Sequence, residues 1–321
     1  MKPQTLALYV LSAILTILLV VYIVLNLDWD ILQSAFANLR AAWLALALSV
    51  YFVNIALRAL RFKNLVYSRT VTTRELLPIV SLHNMFMYLM PAKSGDISFI
   101  FLSRGRLKTS LAEGTATLLA ARFYDFVVVA LLLASALLLT GGRIPAFVFQ
   151  ASLAFCILVF VGTAGILLFL RSPLSSRKIE TKNRFASRVL AAWSRFVAGL
   201  REIQSREGHT RIGLLTLGIW LCQYMVTYSI ARSLGYEISF YHISIIMLVM
   251  VPLTLLPLQG FANIGTHELG WTSAFLIFGY SYDASLAIAV GSHFFLLAFV
   301  LFYGTLSLIA LRFIEPTGES Q

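Results

Sequence analysis

Apolar positions fall in long uninterrupted runs and do not alternate with polar ones. Windows of about 20 apolar residues recur, each long enough to cross a hydrocarbon core of roughly 30 Å at 1.5 Å per residue. They predict six full crossings, at residues 5–25, 43–60, 114–139, 145–170, 212–234 and 284–311. Backbone polar groups in lipid must be satisfied within the spanning segment, so these are expected to be α-helices. The first run follows Lys2 and is similar to a secretory leader, but it is too long and lacks a small-residue cleavage site, so it reads as a retained span.

Two further apolar stretches, about 76–103 and about 243–279, are each interrupted near the middle by Pro and Gly. The breaks are PAKSGD at 91–96 and PLQGFANIGTHE at 257–268. Each stretch is expected to form a helical hairpin that enters and leaves the membrane on one side. Two spans, a broken hairpin and a third span then make a first repeat (1–140), and the same order makes a second (141–321). Three crossings per repeat is an odd number, so the repeats are expected to be inverted, the arrangement of transporters with discontinuous helices at the midplane. The expected fold is an all-α polytopic integral membrane protein with about six transmembrane helices and two re-entrant hairpins. Two short, tilted crossings in place of each hairpin would read the same way by hydropathy.

Composition agrees with lipid as the solvent. Hydrophobic residues make up 59% of the chain and charged residues 12%, and mean hydropathy is +0.85, against about 45–50% apolar residues in soluble domains. The net charge of +11 would suit nucleic acid, but its placement argues for a membrane. Arg58, Arg61, Lys63, Arg69 and Arg74 mark the loop after the second span, Arg104, Arg106 and Lys108 follow the first hairpin, and ten more basic residues lie between Arg171 and Arg211. By the positive-inside rule these loops and both termini are expected in the cytoplasm. Within the basic segment, Phe185, Val189, Ala192, Trp193, Phe196 and Leu200 recur at helical spacing. They predict a basic amphipathic helix on the inner leaflet, or a solvated linker between repeats.

Ionisable groups at bilayer depth are costly and therefore candidate sites. Arg122 and Asp125 share one face of the third span and could pair. Lys93, Gly95 and Asp96 occupy the first hairpin tip, and Gly265, His267 and Glu268 the second. Glycine lets backbone N–H groups approach a ligand, and a half-helix N-terminus favours an anion such as a lipid phosphate. The alternative is that Pro and Gly only turn the chain while the charges reach back to water. His83, Asn84, Asn54, Gln223 and His293 are expected as interhelical hydrogen-bond partners, and Cys156 and Cys222 as packing. His267 and Glu268 lack the second His of a zinc-protease motif, and no nucleophile elbow, phosphate loop or dinucleotide fingerprint occurs. No cofactor or metal is expected.

PAKSGD with the following LSRGRLKTSLAEGTATLLAARFYD, and later LPLQGFANIGTHE, resembles the lysylphosphatidylglycerol synthase transmembrane-region family, also called flippase-like. The family's acidic turn and Arg-x-x-Asp helix fall on Pro91, Gly95, Asp96, Arg122 and Asp125, and its Gly-x-x-Glu on Gly265 and Glu268. Phe99 stands where relatives often carry a basic residue, and Asn263 and His267 where Gly and Arg are common. The resemblance implies a bacterial or archaeal cytoplasmic membrane protein corresponding to the lipid-moving part, without the soluble aminoacyltransferase domain of larger members. The leading expectation is a flippase for an anionic phospholipid or lipid-linked phosphate, its headgroup neutralised by Lys93, Arg122 and hairpin-tip amides. A membrane-embedded transferase or hydrolase using Asp96, Glu268 or His267 as general base is the second. A scaffold that recruits envelope-synthesis partners is the third. A homo-oligomer is compatible with all of these.

Overall fold

A computed structural model describes residues 3–91, 94–140, 144–172, 184–205, 208–254 and 260–313. The described residues are helical and contain no strand. In chain order the helices are α1 (Pro3–Asn26), α2 (Trp29–Ala37), α3 (Ala41–Leu65), α4 (Thr73–Leu89), α5 (Ser98–Leu107) and α6 (Leu111–Thr140). They continue as α7 (Ala146–Arg171), α8 (Arg184–Ser205), α9 (His209–Ser233), α10 (Phe240–Thr254), α11 (Thr266–Ile277) and α12 (Tyr282–Phe313). Six of them, α1, α3, α6, α7, α9 and α12, are long and apolar enough to cross a membrane, and they are the six expected from the apolar runs. The protein is a multi-pass membrane protein.

One prediction is corrected. Arg58 and Arg61 do not belong to a loop: α3 continues to Leu65, and Arg61 is only 2% exposed. Basic residues end the expected span at Leu60, whereas Asp125 inside the bundle pairs with Arg61 and lets the helix continue. The nine-residue α2 escaped prediction because it is too short to show a period; Asp28 caps it by accepting from the Ile31 N–H at 3.0 Å.

α3 and α9 form the central pair and run antiparallel. The Arg40 N–H donates to the Ser233 carbonyl at one end (2.8 Å), and Arg61 approaches the Thr216 hydroxyl towards the other (3.4 Å). Around this pair the packing partners exchange between halves. α6 packs on α5 and α10 as α12 packs on α11 and α4, and α8 covers α6 as α2 covers α12. α1 and α7 are the most exposed spans, with 11% of each window buried.

α4 and α5 fold back on each other. Gly95 lies against Phe86, Ser98 bonds His83 at 2.9 Å, and Arg69 ties the two ends by donating to Glu75 (2.8 Å) and to the Leu107 carbonyl (3.3 Å). A Cβ at residue 95 would stand 2.2 Å from the Phe86 carbonyl oxygen, so only glycine permits so close a return. α10 and α11 form the second hairpin, closed at its base by a His242–Tyr280 hydrogen bond of 2.9 Å. The first hairpin begins beyond the C-terminus of α3 and the second beyond that of α9, so antiparallel α3 and α9 place the two bases at opposite ends of the bundle.

α8 is the expected amphipathic helix. Its Phe196 packs edge-on against Phe123 of α6, and Gly199 meets Ala116. Trp193 reaches Phe169 of α7, so part of the apolar face covers neighbouring helices.

Candidate functional site

The two hairpin tips meet across a cavity of about 170 Å³ beside the central pair, lined by polar side chains and by Leu296 and Val300 of α12. Its wall includes Tyr51, Asn54 and Arg58 of α3, Asn84, Met87 and Tyr88 of α4, Asp96, Gln223 of α9 and Asn263. Spacings of three and four residues bring Tyr51, Asn54 and Arg58 to one helix face, and likewise Asn84, Met87 and Tyr88.

On the first side lies a chain of charges. Asp125 accepts from both terminal nitrogens of Arg61 (2.6 and 3.4 Å) and from the Trp220 indole (3.3 Å). Arg122 stands 3.8 Å from Asp125, a weak contact, and instead pairs with Asp96 at 2.5 Å, with Met87 sulfur nearby. The expected Arg122–Asp125 pair is therefore secondary, because each charge has a better partner on another helix. Two carboxylates, Asp96 and Asp125, are taken by Arg61 and Arg122, and Arg58 is a third guanidinium beside them. Arg58 makes no ion pair among the described residues; its Nε donates to Asn54 at 2.8 Å, and Asn54 in turn donates to the Ile219 carbonyl at 2.7 Å.

On the second side Glu268 is buried and occupied at both oxygens. Oε2 accepts from the Gly265 N–H at 2.6 Å, and Oε1 pairs with His293 Nδ1 of α12. His293 Nε2 faces the Ala262 carbonyl at 2.9 Å. A carbonyl only accepts, so Nε2 carries hydrogen, and Nδ1 with Oε1 shares one proton. Whichever atom holds that proton, the pair has no net charge. His267 stacks on His293 with ring centroids 4.5 Å apart, and Tyr88 makes an edge contact with His293 of α12 (5.5 Å).

Of the residues expected at a site, Asp96, Arg122 and Asp125 come together at the first tip, and Gly265, His267 and Glu268 at the second; only Asp96 of these lines the cavity. Lys93 lies outside the described residues. Gly95 is buried against α4, and Gly265, with φ of +82°, packs against Leu19 of α1. Asn54, His83 and His293 bond other segments as expected, whereas Asn84 and Gln223 line the cavity. Sequence reasoning missed Arg58 and Arg61 as site residues. The signal was the polar stripe Tyr51, Asn54, Arg58 and Arg61 on one face of an apolar helix. Among the described residues, no three His, Cys, Asp or Glu gather as metal ligands would.

A helical membrane bundle with two hairpin tips facing a cation-bearing cavity defines the class. The chain belongs to the lysylphosphatidylglycerol synthase transmembrane-region family, whose model matches residues 9–304. It is also similar to Glycosyltransferase AglD of Haloferax volcanii, with 23% identity over 304 residues covering 82% of this chain and 48% of that protein. The chain thus spans about half the length of this relative.

Proposed function

We propose that this protein moves an anionic lipid headgroup, that of a phospholipid or a lipid-linked phosphate, between the leaflets of the cytoplasmic membrane. The observation that carries the reading is Arg58, a guanidinium on the cavity wall with no carboxylate partner among the described residues. An arginine at bilayer depth costs about 2.5–3.5 kcal/mol on insertion scales, and a headgroup phosphate offsets that charge while its acyl or prenyl tail stays in lipid. The name of the haloarchaeal relative supports a role in lipid or glycan assembly.

The exchange of packing partners and the opposed hairpin bases support an inverted repeat, with residues 1–140 against 141–321 and both hairpins re-entrant. Transporters built this way bind substrate at the repeat interface. In this reading Arg58 meets the headgroup, Arg122 holds Asp96 at the cavity wall, Asp125 balances Arg61, and Gly95, Gly265, His267 and Glu268 shape the tips. Transport is favoured over a reaction that uses Asp96 or Glu268 as general base because Asp96 is held by Arg122 and Glu268 by His293 and Gly265.

Two experiments test the proposal. In proteoliposomes, wild-type protein is expected to exchange fluorescent phosphatidylglycerol or a polyprenyl phosphate between leaflets, and Arg58→Gln to abolish that exchange while remaining folded. No exchange of any anionic lipid by folded protein would favour an enzyme or scaffold. For the topology, impermeant thiol reagents should label Ser68→Cys and Ser239→Cys from opposite faces in a background lacking Cys156 and Cys222. Labelling of both from one face contradicts the inverted repeat.

A further inference from the structure

α1 turns one stripe of residues towards the bundle: Tyr9, Ser12, Thr16, Leu19 and Ile23, at the three- and four-residue spacing of a single helix face. The N-terminal part of this stripe touches both hairpin tips. The Tyr9 hydroxyl donates to Ser94 of the first tip (3.4 Å), and its ring lies 6.2 Å from that of Phe261 in the second. Thr16 accepts from the Phe261 N–H at 3.0 Å, and Leu19 is seated against Gly265, where an added Cβ would stand 2.2 Å from the Leu19 Cβ. These contacts flank the cavity wall: Ser94 is two positions from Asp96, and Phe261 and Gly265 are each two from Asn263.

The C-terminal end of α1 is held differently. Ile23 and Leu27 are buried with Leu286 of α12, and the Tyr22 and Tyr282 hydroxyls bond at 3.0 Å. The backbone then leaves the helix at Leu27 and Asp28 before α2 begins. The outer face is exposed along its length, at Val10, Leu11, Ile14, Ile17, Leu18 and Val21. Lipid tails are as apolar as these side chains, so no hydrophobic force presses α1 on the bundle, and packing and hydrogen bonds hold it. Parting the N-terminal arm from the tips breaks the Tyr9 and Thr16 hydrogen bonds, the first of them long, and leaves the packed end at Ile23 and Leu27 in place.

A lipid whose headgroup enters the cavity while its tail stays in the bilayer has to pass between the tips and the surrounding lipid, and α1 lies across both tips there. Resting on the anionic-lipid reading above, we infer that α1 is a lateral gate. Its N-terminal arm swings away from Ser94, Phe261 and Gly265 about the packed end at Ile23 and Leu27, admits the headgroup, and closes over the tips again. Motions of this kind are absorbed by a few residues at the end of an element, here Leu27 and Asp28.

The test joins the arm to a tip. In a background lacking Cys156 and Cys222, Tyr9→Cys and Ser94→Cys are linked by a short bis-maleimide with a cleavable disulfide spacer. Leaflet exchange of fluorescent phosphatidylglycerol and of a polyprenyl phosphate is measured before linking, after linking and after reduction. Linking is expected to slow exchange about tenfold or more and reduction to restore it, which also reports that the linked protein is folded. The same linker across Tyr22→Cys and Tyr282→Cys, at the packed end, should leave exchange within about twofold. Unaltered exchange with the arm linked, or equal slowing by the two links, would overturn the gate while the anionic-lipid reading stands. Absence of exchange of both lipids by the folded, unlinked background protein would overturn the anionic-lipid reading and the gate with it.

Discussion

The two hairpin tips reach the same cavity with opposite electrostatics. The first is held by full charges: Arg122 pairs with Asp96, and Arg61 with Asp125. The second is held by Glu268 and His293, which share a proton and carry no net charge. Both devices fix a broken helix inside an apolar bundle, and the surplus positive charge, Arg58, stands on α3 in the cavity wall. Thus one half of the molecule can supply the attraction for an anion while the other supplies a neutral, hydrogen-bonding wall through Asn263.

The largest effect expected from this contrast is at Arg61. Arg61→Ala leaves Asp125 buried beside a vacated partner, and breaking such a pair costs about 3–5 kcal/mol; the folded, monodisperse protein in detergent should be lost at markedly lower temperature. If Arg61→Ala is as stable as wild type, the first tip does not depend on its charges. A matched pair of neutral substitutions then sharpens the difference. Asp125→Asn removes the carboxylate that compensates Arg61 and is expected to cost about 3 kcal/mol. Glu268→Gln keeps an oxygen for the Gly265 N–H and gains an N–H for His293 Nδ1, so it should cost about 1 kcal/mol or less. Thermal unfolding of the two variants side by side checks the ranking, and equal losses would mean that the second tip is also charged.

Much of this was legible in the sequence. The six spans announced themselves because a bilayer demands about 20 apolar residues per crossing, and the two Pro-Gly breaks marked where α4 gives way to α5 and α10 to α11. Asp96, Arg122 and Asp125 stand out in the sequence because an ionisable group in an apolar run is costly unless it is paired. What escaped was partnership. Arg61 looked like the start of a cytoplasmic loop because its partner Asp125 is 64 residues away on another helix. His293 was expected to bond another helix, but its shared proton with Glu268 depends on the Ala262 carbonyl facing its second nitrogen. The cavity likewise exists only once Asn84, Gln223 and Asn263 are brought together by the crossing of α4, α9 and the second tip. No spacing along the chain records that meeting.

The central claim is that Arg58 is the cation left over for a lipid anion. Native mass spectrometry of detergent-purified protein tests it most directly. The account predicts one anionic lipid retained per chain in the wild type and in Arg40→Gln, whose arginine already pairs with Glu237 at 3.4 Å, and loss of that lipid in Arg58→Gln. Equal retention by all three proteins would contradict it.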